Sequence, residues 1–241
     1  MNSRLTEFTR GVRAELPILV GVAPFGMIFG VLALQAGLSH LQAQLMSAIV
    51  FAGSSQIVFA QLVHLAAPGW VIVLTVAVVN LRHALYSASL APYIQRLRTA
   101  WKWLLSYLLT DEAFAVAVIN YQSQPDPAVM TANEQHIEST PDLRHWFTLG
   151  AGLALWSTWQ LSTAAGIFLG AVVPKSWSLD FTLALTFIAL VVPNLKDRAA
   201  TLTALVAGVV ALLAFGIPYK LGLMVAALVG ILVGLLVEAK V

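Results

Sequence analysis

Residues 70–92 read WVIVLTVAVVNLRHALYSASLAP, an apolar run that Asn80, Arg82 and His83 interrupt near its middle. The run is long enough to cross the hydrocarbon core of a bilayer as a helix. Each polar group costs several kcal/mol there unless something satisfies it. A chain that only resided in lipid would have no use for such groups, so the run predicts a membrane helix that lines a polar path.

The composition extends this prediction to the whole chain. Hydrophobic residues make up 59% of the 241 positions and charged residues only 10%, whereas soluble domains carry about 25% charged residues. A chain of this length that lies mostly in the membrane holds roughly seven or eight helices. We therefore expect an all-α polytopic membrane protein, with residues 1–241 as a single transmembrane transporter domain.

Eight apolar runs are candidate spans. They lie near residues 16–36, 43–65, 70–92, 102–121, 146–172, 179–194, 199–216 and 219–237. Residues 1–15 are predicted to be a cytoplasmic N-terminal segment because their arginines favour that side, and 122–145 to be a polar loop. Eight full spans divide Lys and Arg almost evenly between the two sides. A broken, re-entrant segment at 43–65 or 70–92 would increase the excess of Lys and Arg on the cytoplasmic side. The number of spans therefore stays open between seven and eight.

Two glycine-containing segments suggest an internal repeat. Gly26–Gly30 precedes a predicted helix that ends near 53–56, and Gly166–Gly170 precedes one that ends at 191–194. The shift is about 140 residues, and repeats of this kind are common in secondary transporters. Glycine is frequent in any membrane helix, so chance similarity remains the alternative.

The sequence GSSQ at 53–56 places a glycine and three hydrogen-bonding side chains in the middle of a span. We expect an unwound turn followed by a half-helix, whose N-terminal dipole suits a substrate carboxylate. Gly53, Ser54, Ser55 and Gln56 are therefore candidate substrate ligands. Ordinary hydrogen bonding between helices is the alternative.

The charged residues of two spans are natural counterparts. Arg82 cannot lose its charge, and Asp111 and Glu112 supply acids in a later span. Adjacent helix positions diverge by about 100°, so one acid can pair with Arg82 while the other takes up protons. His83, Asp111 and Glu112 are the candidates for proton coupling. The alternatives are that Arg82 snorkels to the interface and that the acids lie near a loop.

Pro24 in the first span is expected to break the helical hydrogen-bond ladder and to free backbone groups for a ligand. Phe25 and Gly26 beside it are candidate substrate contacts, although helix packing also explains the glycine. Phe25, Phe51 and Trp159 would supply apolar walls.

Several functions are excluded or disfavoured. The five histidines form no metal-ligand motif, and no glycine loop for phosphate is present, so we expect neither a metal nor an ATP-driven pump. No enzyme signature, cofactor motif or cysteine is found. The net charge of +2 and the lack of a basic tract argue against nucleic acid.

Four motifs, in order, resemble the AzlC family. They are PFGx3G at 24–30, MSx3FAGx2Q at 46–56, NLRHxLYx2SLAP at 80–92 and TDExFA at 110–115. The likeness continues through 156–170 and 192–196, and so covers almost the whole chain from about Pro17. The resemblance implies a multi-pass exporter of valine, leucine, isoleucine or analogues in the bacterial inner membrane. It also implies a partner, a small hydrophobic membrane subunit of the AzlD type.

The predicted function is secondary export of branched-chain amino acids, driven by protons. The predicted substrate ligands are Phe25, Gly26, Gly53, Ser54, Ser55, Gln56, Asn80 and Arg82. A channel for small solutes or ions and a membrane scaffold without transport activity are the alternatives.

Overall fold

The computed structural model describes residues 4–123, 142–170, 195, 198–218 and 221–238. Within these ranges the regular structure is helical and contains no strand, so the all-α class is confirmed. Nine α-helices are present in the described ranges: α1 Arg4–Gln35, α2 His40–Ile49, α3 Gly53–His64, α4 Gly69–Ile94, α5 Thr99–Leu108, α6 Asp111–Ser123, α7 Arg144–Gly170, α8 Arg198–Leu213 and α9 Leu221–Glu238.

Three of these helices are long and apolar enough to cross a membrane, namely α1, α4 and α9, and α8 is a shorter apolar helix. Many large apolar side chains on α8 and α9 are exposed, as lipid-facing residues would be. The number of spans, seven or eight, stays a prediction. The span near 179–194, the second copy of the repeat beyond 170 and residues 124–141 of the polar loop lie outside the described residues.

The first helix is continuous over 32 residues, although Pro17 and Pro24 lie inside it. Pro24 therefore does not end or divide the helix, and the freeing of backbone groups for a ligand stays a prediction. Residues 4–15, which were predicted to form a separate cytoplasmic segment, continue α1, and two of their acids, Glu7 and Glu15, are buried. A proline inside a helix costs a hydrogen bond, and the long contact that α1 makes with α7 compensates for this loss.

Glycines allow α1 and α7 to pack closely. A Cβ atom added to Gly30 would lie 2.5 Å from the carbonyl oxygen of Thr163 and 2.7 Å from the amide nitrogen of Ile167. Such small residues let membrane helices approach at backbone distance. The glycines of this interface are Gly11, Gly26 and Gly30 on α1 and Gly150 and Gly166 on α7.

Two of the predicted spans are interrupted. The 43–65 run is divided into α2 and α3 by the non-helical residues 50–52, and the backbone is extended at Ala52. The 102–121 run, for which no break was predicted, is divided into α5 and α6 at Leu109–Thr110. Neither pair of half-helices packs extensively side by side. The 70–92 run forms the continuous helix α4.

Candidate functional site

Arg82 lies at the middle of α4, with 13 residues before it and 12 after it in the helix. At 1.5 Å per residue, either end of the helix is about 18–20 Å away. That distance exceeds the length of an arginine side chain, so snorkelling past the ends of α4 does not explain this position. The guanidinium must be satisfied within the protein.

The guanidinium of Arg82 joins the two interrupted helices. Its Nη2 donates to Ser54 Oγ at 2.7 Å, and its Nη1 donates to Asp111 Oδ2 at 3.1 Å. Ser54 is the second residue of α3, and Asp111 is the first residue of α6. One side chain from a continuous helix therefore contacts the starts of two half-helices. The Nε–H group of Arg82 is buried and has no partner among the described residues.

The start of α3 has the properties of an anion site. Its N-cap residue, Ala52, supplies no side-chain hydrogen bond, and the first backbone bond runs from Gln56 N to Ala52 O at 3.0 Å. The amide groups of Gly53, Ser54 and Ser55 precede that bond and lie at the positive end of the helix dipole. Together with the unpaired Nε–H of Arg82, they can bind a carboxylate.

Ser55 and Asn80 connect α3 to α4 beside this site. Ser55 Oγ donates to Asn80 Oδ1 at 2.5 Å, and Ser55 is fully buried. His83 Nδ1 lies 3.3 Å from the carbonyl oxygen of Asn80, and its Nε2 is buried without a partner among the described residues. The ring of His83 also packs edge-on against Tyr86. These contacts place Asn80 and His83 next to the Arg82 site and fix the position of α3 against α4.

Gln56 is fully buried, and its side chain stabilises the break between α2 and α3. Its Nε2 donates to the carbonyl oxygens of Ser47, at 3.3 Å, and of Val50. Its Oε1 accepts from Trp159 Nε1 at 3.1 Å. The last carbonyl groups of a helix need partners, and Gln56 supplies them to α2. Both donors and the acceptor of this amide are thus engaged in protein contacts, and the role of Gln56 as a substrate ligand stays a prediction.

Gly26 likewise lies in a packing interface, where a Cβ atom would collide with Ser162 on α7. Phe25 and Gly53 instead approach Trp159. The rings of Phe25 and Trp159 are 6.3 Å apart, and a Cβ on Gly53 would lie 2.7 Å from the indole ring. These three residues pack together next to the start of α3, and Trp159 belongs to the buried core.

Phe51 in the first break contacts the ring of Tyr107 on α5, with 6.2 Å between their centroids. Tyr107 donates to the carbonyl oxygen of Ala48 and accepts from Trp156 Nε1 at 2.8 Å. Tyr107 and Trp156 were not among the predicted site residues. Their roles depend on contacts between distant helices, and the spacing within one helix carries no signal for them.

The two acids of α6 diverge as predicted. Asp111 faces Arg82, the role of Glu112 in proton coupling stays a prediction, and Glu15 of α1 is a further acid that is fully buried. Thr110 Oγ1 accepts from the amide of Ala113 at 3.4 Å and caps the first turn of α6. The sequence prediction missed Glu15, although it lies two residues before Pro17 at the edge of the first apolar run. An acid at the edge of an apolar run was the feature of the sequence that could have identified it.

No group of three or more His, Cys, Asp or Glu side chains that could hold a metal occurs in the described part of the chain.

Comparisons with known proteins agree with this architecture. The AzlC protein family matches residues 17–173. The chain is 30% identical to the inner membrane protein YgaZ of Escherichia coli K12, over 95% of this chain and 88% of that protein. It is 31% identical to an uncharacterised membrane protein of Archaeoglobus fulgidus, over 81% of this chain and 80% of that protein. No solved structure matches the chain significantly.

Both relatives are named as membrane proteins. The residues that the family matches include Arg82, the starts of α3 and α6 and the whole of α7. The helical fold, the interrupted spans and the family match agree, and the chain belongs to the AzlC family.

Proposed function

We propose that this protein exports branched-chain amino acids across a bacterial inner membrane, as the large subunit of a two-component exporter driven by protons. The observation that supports this most directly is the contact of Arg82 with Ser54 and Asp111 at the starts of two half-helices. Interrupted helices with charged groups at their ends are typical of substrate sites in secondary transporters.

The Arg82–Asp111 ion pair suits a zwitterionic substrate. An amino acid that enters between the two side chains offers its carboxylate to Arg82 and to the amides of Gly53 and Ser54. Its ammonium group takes the place of the guanidinium beside Asp111. Both charges of the pair then have new partners, so the substrate separates the pair without leaving either charge uncompensated.

The apolar contact of Phe25, Gly53 and Trp159 beside the start of α3 supports an aliphatic substrate. It lies next to the amides that would hold the carboxylate. A Val, Leu or Ile side chain buried there gains roughly 1.5–3 kcal/mol relative to exposure in water. A charged side chain such as that of lysine would find no partner against these rings and would be rejected.

The family and the exposed apolar faces of α8 and α9 support the proposed location in the inner membrane and the proposed partner subunit. YgaZ is named as an inner membrane protein, which supports the same location for this chain. Leu212, Leu213 and Phe215 lie at the end of α8 and just beyond it, and each is more than three-quarters exposed. This surface is available to lipid and to a small hydrophobic subunit of the AzlD type.

The proposal is tested by efflux from proteoliposomes, with and without the small subunit. Labelled valine, leucine and isoleucine are compared with lysine under an imposed pH gradient. We expect saturable, gradient-driven export of the aliphatic substrates and no export of lysine. Flux that does not saturate would indicate a channel, and no flux with the subunit present would refute the proposal.

A matched pair of variants tests the site itself. Arg82→Gln removes the central cation and should abolish export with the fold intact. Arg96→Gln removes an exposed arginine beyond the end of the same helix and should leave export unchanged. Equal export by both variants would show that the Arg82 contacts are not part of a substrate site.

A further inference from the structure

The helices α1 and α7 run in parallel through the described bundle. A Cβ on Gly11 would meet the backbone of Phe147, and a Cβ on Gly30 would meet that of Thr163. The contacts therefore advance in the same direction along both helices, and the two helices start at the same face of the bundle. We call this the N-terminal face, and the end of α1 at Gln35 marks the opposite face.

Both arms of the α2–α3 pair reach the opposite face. Only residues 36–39 separate the end of α1 from the start of α2. The last turns of α3, which ends at His64, line a cavity together with the end of α1. The start of α3 instead lies deeper, where Gly53 meets Trp159 near the middle of α7. The chain thus enters from the opposite face, turns at 50–52 and returns to the same face.

Both arms of the α5–α6 pair reach the N-terminal face. Trp101, in the first turn of α5, packs edge-on against Trp146 at the start of α7, with 5.0 Å between the ring centroids. Tyr121, in the last turn of α6, lies 5.1 Å from the guanidinium of Arg144 at the start of α7. The break between α5 and α6 instead lies beside Arg82, in the middle of α4. This pair enters from the N-terminal face and returns to it.

The lengths of the four half-helices fit hairpins of half-membrane depth. They contain 10, 12, 10 and 13 residues, which corresponds to about 15–20 Å at 1.5 Å per residue. The hydrocarbon core is about 30 Å thick, so each arm reaches its middle and does not cross it. Non-helical backbone at that depth is tolerated where protein covers it, and the residues Phe51, Ala52, Leu109 and Thr110 at the two tips are buried.

The arms of each hairpin separate because they pack against different helices. In the first hairpin α2 packs on α1 and α7, whereas α3 packs on α1 and α4. In the second, α5 packs on α7, whereas α6 also packs on α1 and α4. Since the second arm of each hairpin begins at the tip, the positive dipole ends of α3 and α6 both lie beside Arg82.

The positions of Lys and Arg support the same arrangement independently. Between Arg4 and Gly170 the described chain carries Arg82 and seven other basic residues, and all seven lie at or near the N-terminal face: Arg4, Arg10, Arg13, Arg96, Arg98, Lys102 and Arg144. Cytoplasmic segments carry the excess of Lys and Arg in membrane proteins, so the N-terminal face is the cytoplasmic one. If the 43–65 run crossed the membrane, the three basic residues between α4 and α5 would lie at the other face.

Stacked aromatic rings fill the space between α4 and α6 from the site to the N-terminal face. Tyr86 stacks on Phe114 with 4.7 Å between centroids, and Tyr93 stacks on Tyr121 with 4.8 Å. A substrate that moves along α4 between the site and this face has to separate these rings. Because α1 and α7 hold each other through backbone contacts, the hairpin that carries α6 is the easier element to displace.

We propose that α2–α3 and α5–α6 are re-entrant hairpins that enter the membrane from opposite faces and meet at Arg82, and that the α5–α6 hairpin closes the cytoplasmic route to the site. Neither the 43–65 run nor the 102–121 run then crosses the membrane. The closing role rests on the proposed function. The arrangement of the hairpins concerns the protein without substrate and is measured separately.

The first experiment is cysteine labelling, for which this chain is suited because it contains no cysteine. Single cysteines at exposed positions are treated with a membrane-impermeant maleimide in intact cells and in inverted membrane vesicles. His40→Cys and His64→Cys, at the two ends of the first hairpin, should label in intact cells. Gln95→Cys and Gln122→Cys, at the two ends of the second, should label only in inverted vesicles, as should Leu5→Cys on the N-terminal face.

Two reporters of one hairpin that label from different faces would show a full crossing and overturn the arrangement. Labelling of both hairpins from the same face would also overturn it. A reporter that the reagent does not reach is replaced by its exposed neighbour at 41, 65, 99 or 123. Labelling after solubilisation in detergent checks that each cysteine is reactive.

The second experiment tests the closing role in proteoliposomes. Tyr93→Cys and Tyr121→Cys are combined and joined by a bifunctional methanethiosulfonate reagent, which should stop valine export, and a reductant that cleaves the link should restore it. Each single variant treated with the same reagent controls for modification without a cross-link. If the double variant does not export before treatment, Leu90→Cys with Ala117→Cys from the same cluster replaces it.

Export that continues with the cross-link in place would refute the closing role and leave the hairpin arrangement standing. A wild type that neither exchanges nor exports labelled valine would refute the proposed function. The labelling pattern would still report on the two hairpins in that case, because it requires no substrate.

Discussion

Packing between α1 and α7 positions Glu15, Phe25 and Trp159, and the substitution Gly30→Ala tests this packing. A Cβ at position 30 would lie 2.5 Å from a carbonyl oxygen and 2.7 Å from an amide nitrogen of α7, whereas ordinary contacts begin at about 3.4 Å. Both atoms belong to the backbone, so α7 must move by about 0.9 Å as a unit to relieve the closer contact. Overpacking of this kind costs about 1–3 kcal/mol.

Gly21→Ala is the matched control on the same helix. A Cβ at position 21 meets nothing within 4 Å. Alanine is more favourable than glycine in a helix by about 0.8–1.0 kcal/mol, so this variant should be at least as stable as the wild type. The two substitutions add the same methyl group to the same helix, and their opposite effects isolate the contact with α7.

The measurement is thermal and denaturant-induced unfolding in detergent, followed by tryptophan fluorescence, with Trp159 as a reporter within the interface. Gly30→Ala should lower the transition midpoint, and Gly21→Ala should keep or raise it. The same shift in both variants, or no shift for Gly30→Ala, would refute the close packing of α1 on α7.

Three further predictions follow from other contacts. Gln56→Leu should lower the free energy of unfolding by about 1–3 kcal/mol, because it leaves the buried Trp159 indole N–H without a partner; chemical unfolding checks this, and an unchanged stability would contradict the role of Gln56 in the break. Arg82→Lys should raise the substrate KM about tenfold or more, because one ammonium group does not reproduce the guanidinium contacts to both half-helices; efflux kinetics measure the change, and a wild-type KM would remove the guanidinium geometry from the site. Burial raises the pKa of Asp142, but hydrogen bonds and the charge of Arg144 outweigh burial and hold that pKa below its usual value. Asp142 therefore contributes stability above its unfolded pKa that is lost as the pH falls through its lower folded pKa, and Asp142→Asn should flatten the acid side of the Tm–pH curve; an unchanged curve would show that the contact contributes nothing.

Much of the fold could be predicted from the residues in order along the chain. The hydropathy runs correspond to α4, α7, α8 and α9 within a few residues, because a span requires a continuous stretch of apolar side chains. The run at 16–36 corresponds to the later part of α1, which begins twelve residues earlier, at Arg4. The break before Gly53 was also predictable, since a glycine and three polar side chains in the middle of a span disfavour a continuous apolar helix. The break at 109–110 was not predicted, because Leu109 and Thr110 carry no comparable local signal.

The candidate site was predicted in its parts but not in its arrangement. Arg82 and the two acids were identifiable, because charged groups within apolar runs are costly and need a partner. Their connection to Ser54, and the use of Gln56 in closing the break, depend on how three helices are placed against each other. Spacing along one helix contains no information about that placement.

The sequence by itself determined that this is a helical membrane protein of the AzlC family with charged groups deep in its spans, because apolar length and local side-chain chemistry are properties of the chain. Only the tertiary structure decided that one arginine joins two half-helices and that Glu15 is fully buried without a hydrogen-bond partner among the described residues. Burial and pairing depend on which face of a helix its neighbours cover, and the sequence of one helix does not contain that information.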